Sequence, residues 1–186
     1  VLVKPHFDEY VKYSKQVFEI YTSFTDRVES FGIDECWLDV TGSEKLFGDG
    51  KTIADTIRQT VKEKTGLTIS VGVSFTKTLA KLGSDLKKPD ATTVLDEEHY
   101  MQIIGDMSPS EMIMIGRHTA EKLEKLNIRT IRDLANADRT ALRYQFGVIG
   151  DALVNAAQGV ETEEVKRYYD VRIPKSISKG TTTPRN

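Results

Sequence analysis

Asp34 and Glu35 stand side by side in the run Phe31-Gly32-Ile33-Asp34-Glu35-Cys36-Trp37-Leu38-Asp39-Val40. Adjacent carboxylates flanked by residues suited to burial are costly unless a cation sits on them. Mg²⁺, a hard cation that takes oxygen ligands, is the natural candidate. In an extended strand neighbouring side chains point to opposite faces, so both acids reach one metal cluster only where the backbone bends. Gly32 makes a bend or bulge easier. The competing reading is a strand end carrying two solvated acids.

Two further runs could bind phosphate. Ala80-Lys81-Leu82-Gly83-Ser84-Asp85-Leu86-Lys87-Lys88-Pro89-Asp90 places Lys88 before a proline, which biases it away from helical geometry. A lysine on such a loop grips phosphate as a point charge, or else offsets a helix dipole. Met114-Ile115-Gly116-Arg117-His118-Thr119-Ala120-Glu121-Lys122-Leu123 resembles a helix-hairpin-helix. Its turn would present backbone N–H groups to a DNA phosphate without reading sequence. Gly147-Val148-Ile149-Gly150-Asp151-Ala152 offers a second copy; plain turns packing a helical bundle are the alternative for both.

These groups need elements to hold them. Residues 6–22 carry apolar positions at helical spacing, and residues 26–41 switch to period two, with Val28–Gly32 as the partner strand of a hairpin. On the second strand Cys36, Leu38 and Val40 share a face, with Glu35, Trp37 and Asp39 on the other. A helix over 49–65 stops at Gly66, followed by a strand over 68–74, a helix over 76–86 and a strand over 92–95. This order predicts an α+β fold, a sheet with helices on one face. Beyond residue 96 the pattern is all-helical, with segments at 97–104, 109–113, 117–125, 130–136, 138–145 and 149–158. The expected division is 1–96, 97–164 and a basic linker over 165–186.

Composition narrows the class. The 186 residues are 39% hydrophobic and 29% charged, with a net charge of −2. No apolar run approaches the roughly 20 residues that span a bilayer. Cys36 is the only cysteine, which excludes an internal disulfide and makes the cytoplasm the default setting. The three histidines, His6, His99 and His118, are too scattered for a metal motif. The small net charge hides basic patches at Lys77, Lys81, Lys87 and Lys88, and at Lys166, Arg167, Arg172, Lys175, Lys179 and Arg185. The start, Val1-Leu2-Val3-Lys4-Pro5, reads as a chain cut out of something longer.

Taken in order, these runs resemble the Y-family (translesion) DNA polymerases, most closely the bacterial DNA polymerase IV branch. Gly32-Ile33-Asp34-Glu35-Cys36-Trp37-Leu38-Asp39-Val40-Thr41 is similar to the palm motif. Val71-Gly72-Val73-Ser74 with Lys77, the 80–85 run and Lys88-Pro89 is similar to the second signature. Ile115-Gly116-Arg117 with Thr119 to Leu123 resembles the thumb hairpin, and Lys175-Ser176-Ile177 with Thr181-Thr182-Thr183 the lead into a little-finger domain.

The resemblance implies a palm-type sheet followed by a thumb. It implies that Asp34 and Glu35 ligate two Mg²⁺ ions, that Lys88 contacts the incoming deoxynucleoside triphosphate, and that Ile115, Gly116, Arg117 and Thr119 hold primer–template DNA. Lys77 and Lys81 would face phosphate as well. It implies an N-terminal strand with another catalytic Asp and a fingers region, neither present before Val1. A sliding-clamp peptide would lie beyond Asn186. On that reading the 186 residues alone do not polymerise. Three positions depart from the family pattern: Gly32 for Ser, Met114 for Gly and Ser178 for Gly. Met disfavours positive φ, so the second departure bears on phosphate binding by the turn. Other classes in play are a non-catalytic DNA-binding module, a nucleotide cyclase and a scaffold without ligand.

Overall fold

The computed structural model describes residues 3, 5–170, 176–178 and 180. The expected linker signature at 175–183 and the basic residues Arg172, Lys175, Lys179 and Arg185 lie wholly or largely outside these.

Helix α1 spans Phe7–Thr22 and buries Val17, Phe18, Ile20 and Tyr21. Strands β1 (Val28–Ser30) and β2 (Cys36–Leu38) form an antiparallel hairpin in which Glu29 lies opposite Trp37. After a short helix α2 (Glu44–Phe47), α3 runs Gly50–Thr65. Asp49 caps it by accepting the Thr52 N–H, and Gly66 closes it in the left-handed conformation. Strand β3 (Val71–Ser74), helix α4 (Lys77–Leu86) and strand β4 (Thr92–Leu95) follow, with β3 and β4 parallel. Gly72 lets β3 lie directly on α4: a Cβ there would fall 1.9 Å from the Ala80 carbonyl oxygen. The β layer is thus two two-stranded ribbons, β1–β2 and β3–β4.

The helical half contains α5 (Tyr100–Ile104), α6 (Arg117–Lys125), α7 (Ile131–Ala135), α8 (Arg139–Phe146) and α9 (Val148–Ala157). A single 3₁₀ turn, Pro109–Glu111, stands where a helix over 109–113 was expected. Thr130 and Asp133 form a reciprocal capping box on α7.

Two apolar cores result. One packs α1 and α3 against the hairpin through Val17, Phe18, Val28, Ile53, Ile57 and Val61. The other joins Leu79 and Leu82 of α4 and Leu95 of β4 to Leu123, Ile131, Leu134, Leu142 and Leu153. The second core therefore runs straight across residue 96.

After α9 the chain returns to the β half. The Glu161 carboxylate accepts the Thr78 N–H at 3.1 Å and the Thr78 hydroxyl, in the first turn of α4. Glu164 pairs with Arg27 at 3.2 Å, and Arg167 with Asp26 at 3.3 Å. The Lys166 N–H donates to Glu29, and the Tyr168 ring packs on Phe18. Where the sequence predicts a linker over 165–186, residues 166–168 instead pack on the β half as part of this strap.

Candidate functional site

Loop 31–35 of the hairpin carries both carboxylates. The Glu35 carbonyl accepts the N–H groups of Phe31 (2.9 Å) and Gly32 (3.2 Å), which turns the chain tightly just before Asp34. From α1 the Ser14 hydroxyl donates to the Ile33 carbonyl, and the Phe31 ring packs on Trp37 at 4.7 Å. Gly32 has no positive φ, and a Cβ there would meet only Asp34 Oδ1 at 3.7 Å, an ordinary contact. The bend expected at Gly32 is therefore made by the loop as a whole, and the serine usual at this position would fit.

Asp34 and Glu35 open on one cleft of about 910 Å³. Its lining includes Tyr10 and Tyr13 of α1, Cys36 and Leu38 of β2, Val71 and Val73 of β3, and Lys81, Ser84 and Lys88. Asp34 is exposed and makes no hydrogen bond or ion pair among the described residues. Its charge is felt by Tyr21, whose pKa is raised first by burial and then by the charges of Cys36 and Asp34. Burial pushes the Cys36 thiol up to about 12, which suits packing and not nucleophilic chemistry.

The basic residues sort into three roles. Lys81 bridges Glu35 (3.1 Å) and Asp85 (2.6 Å), and Lys88 reaches the other oxygen of Asp85 at 2.7 Å. Burial would raise the Asp85 pKa, but hydrogen bonds from both lysines hold it below the usual carboxylate range. Asp85, read from sequence only as an acid among lysines, is thus the hub of this cluster. The loop after Lys88 is tied to α3, because Arg58 and Lys62 hold the Asp90 carboxylate at 2.7 and 2.9 Å. Lys77 does not join the cleft. Its ammonium is buried against Glu29 and lies over the Trp37 ring, so the phosphate-facing position expected for it is not where the fold puts it.

The turn before α6 departs from expectation in two ways. Met114 adopts φ 70, the glycine-like conformation, although it is a methionine. Ile115 is buried and its N–H already donates to the Met112 carbonyl, so it offers no amide to a ligand. Gly116 is the N-cap, with no side chain to cover the first-turn N–H groups of Arg117, His118 and Thr119. Arg117 is exposed and pairs with Glu121 at 2.8 Å. In the second copy Gly147 makes the turn at φ 64, and Gly150 packs on the α8 backbone beside Leu142.

Asp34 and Glu35 are oxygen donors lining one cleft, and among the described residues no cation pairs with Asp34. That fits Mg²⁺, which binds through one or two carboxylates with water and phosphate completing its shell. Among the described residues no cluster of three or more His, Cys, Asp or Glu side chains is placed to hold a metal. No helix among them is long and apolar enough to cross a membrane.

Comparison with known proteins agrees along the chain. Residues 1–85 match the impB/mucB/samB family model. The chain is 46% identical over 187 residues to a DNA polymerase IV of Acetivibrio thermocellus, covering 100% of this chain and 47% of that protein. It is 36% identical to the DNA polymerase IV of Francisella philomiragia, covering 98% and 51%. It therefore spans about half the length of the curated relatives it matches. Among solved structures, DinB from Sulfolobus solfataricus superposes with a TM-score of 0.79 at 28% identity, over 90% of this chain and 50% of that one. An insertion ternary complex of Dbh DNA polymerase gives 0.79 at 28%, over 89% and 48%. With the family model over residues 1–85, relatives alike along the whole chain and DinB-like neighbours in fold, the chain belongs to the Y family of DNA polymerases, on its DinB-like branch.

Proposed function

We propose that this chain supplies the palm and thumb of a template-directed DNA polymerase for lesion bypass, which extends a primer 3′ end by phosphoryl transfer. The observation that carries the reading is the meeting of Asp34, Glu35, Lys81 and Lys88 around one cleft. On this reading residues 1–96 form the palm portion, 97–164 the thumb, and 165–186 lead toward a little finger.

Asp34 and Glu35 would hold Mg²⁺, which when bound lowers the pKa of the primer hydroxyl and stabilises the leaving pyrophosphate. Lys88, exposed on its tethered loop, binds the triphosphate as a point charge. The uncapped first turn of α6 and the Arg117 side chain hold a DNA backbone phosphate. The residues thus position two anionic substrates and neutralise charge, which is most of what phosphoryl transfer asks of a protein. A sliding clamp as recruiting partner and a cytoplasmic setting belong to the same reading.

The test is primer extension by the longer polymerase. Asp34→Ala and Glu35→Ala should each lower incorporation at least about a hundredfold, as loss of metal-based charge stabilisation does. DNA binding should persist. EDTA should abolish extension by the parent. Turnover within tenfold of the parent in either variant would refute the assignment. The 186 residues alone should give no steady extension.

A second reading is a DNA-binding module without catalysis. It is favoured by the absence of a third metal-binding side chain beside Asp34 and Glu35 among the described residues. It predicts salt-dependent DNA binding that Mg²⁺ leaves unchanged at constant ionic strength.

A further inference from the structure

Lys81 occupies an unusual place in the cleft. Its ammonium lies 3.1 Å from a Glu35 oxygen and 2.6 Å from an Asp85 oxygen, and its side chain is only 16% exposed. Among the described residues Asp34, next to Glu35 in the chain, has no such partner. One carboxylate of the adjacent pair therefore carries a resident positive charge and the other does not.

A divalent cation arriving on Glu35 competes with the ammonium on its Oε1 for that carboxylate's charge, and the two cations repel at close range. Without a second anion Lys81 would be left stranded next to an entering metal. Asp85 is that anion, and Lys81 already touches it. We propose that Lys81 is a placeholder cation: it neutralises Glu35 while the cleft is empty of metal, and yields that carboxylate to a divalent cation by falling back on Asp85. The inference rests on the reading of Asp34 and Glu35 as metal ligands and adds a positioning residue and its return point, Asp85, to it. Its consequence is that metal affinity is set partly by competition from within the protein.

The test is Mn²⁺ binding to the 186-residue chain, followed by loss of the free-ion electron paramagnetic resonance signal without DNA or nucleotide. Lys81→Met should bind Mn²⁺ roughly threefold to fivefold more tightly, the gain expected when one partly exposed ion-pair competitor is removed. Lys81→Gln, which keeps a polar side chain in the cleft, should give the same gain and serves if Lys81→Met does not fold. Lys87→Met removes an equal charge from the end of α4 without touching Glu35, and should give less than half that gain. Asp85→Asn removes the fall-back and should weaken binding in the parent, but much less when Lys81 is also Met.

Parent-like affinity in both Lys81 variants, an equal gain in Lys87→Met, or an Asp85→Asn effect indifferent to Lys81 would overturn the placeholder role. Binding that Asp34→Asn and Glu35→Gln both leave intact would overturn the metal reading beneath it. Binding that these two abolish, but that ignores Lys81, overturns the placeholder alone.

Discussion

Lys77 and Glu29 form a buried ion pair, Nζ to Oε2 at 2.7 Å, with side chains 10% and 7% exposed. It ties α4 to β1, and the strap closes on the same carboxylate through the Lys166 N–H at 3.0 Å. Removing one partner of such a pair leaves the other charge buried and uncompensated. Glu29→Gln should therefore destabilise the chain by about 3 kcal/mol, read as a lower urea midpoint. Replacing both residues with Met should cost less than the single change, because no lone charge remains.

The same carboxylate should shape stability against pH. Burial alone would raise the Glu29 pKa, but hydrogen bonds from Lys77 and the Lys166 amide overcome it and bring the value below the ordinary 4.5. A carboxylate with a depressed folded-state pKa contributes stability that is full above its unfolded value and is lost as pH falls through the folded one. Urea midpoints should thus hold steady above pH 5 and fall below 4.5, with a shallower fall in Glu29→Gln.

Met114 holds a left-handed backbone at φ 70 and its side chain is exposed, so little packing offsets the strain. Met114→Gly should raise stability by about 1 kcal/mol, the strain relieved at a left-handed position less the entropy that glycine adds to the unfolded chain. Thermal denaturation measures it directly. DNA affinity should stay within twofold, because the α6 amides keep their places.

Gly72→Ala tests the contact between β3 and α4. A Cβ at 1.9 Å from the Ala80 carbonyl meets backbone, which cannot rotate away. The cost should be about 3 kcal/mol or more, at the upper end for overpacking. Gly116→Ala, with nothing within 4 Å of the added atom, is the mild control.

Much of the fold was legible because its signals are local. The α3 boundaries follow from an apolar stripe at Ile53, Ile57 and Val61 between Asp49 and Gly66, and β4 was placed at Thr92–Leu95 from its β-branched run. The pairing of Asp34 and Glu35 at a β-turn is legible too, although the sequence puts Glu35 on the strand and the structure puts it in loop 31–35; that Lys88 lines the same cleft is not legible from spacing. What was hidden depends on partners distant in sequence. Lys77 reads as one more surface lysine until Glu29 is folded against it, 48 residues away. Asp85 is a different case: its partners Lys81 and Lys88 are local, and only the third member of the cluster, Glu35, comes from far away in sequence. Ile115 sits in a DNA-binding signature, yet its apolar side chain is drawn into the core. The strap at 161–168 has no periodicity at all, only acids and bases whose partners lie more than eighty residues upstream.

The helical half is moored to α4 at both of its ends. It begins from β4 through the core shared by Leu95, Leu82 and Leu79, and it finishes where Glu161 seals the first turn of that same helix. A lobe anchored twice to one lever cannot pivot freely on a single hinge. On the proposed reading, a DNA phosphate at the start of α6 and the lysine beside Glu35 would therefore keep step, as though the two were teeth on one gear.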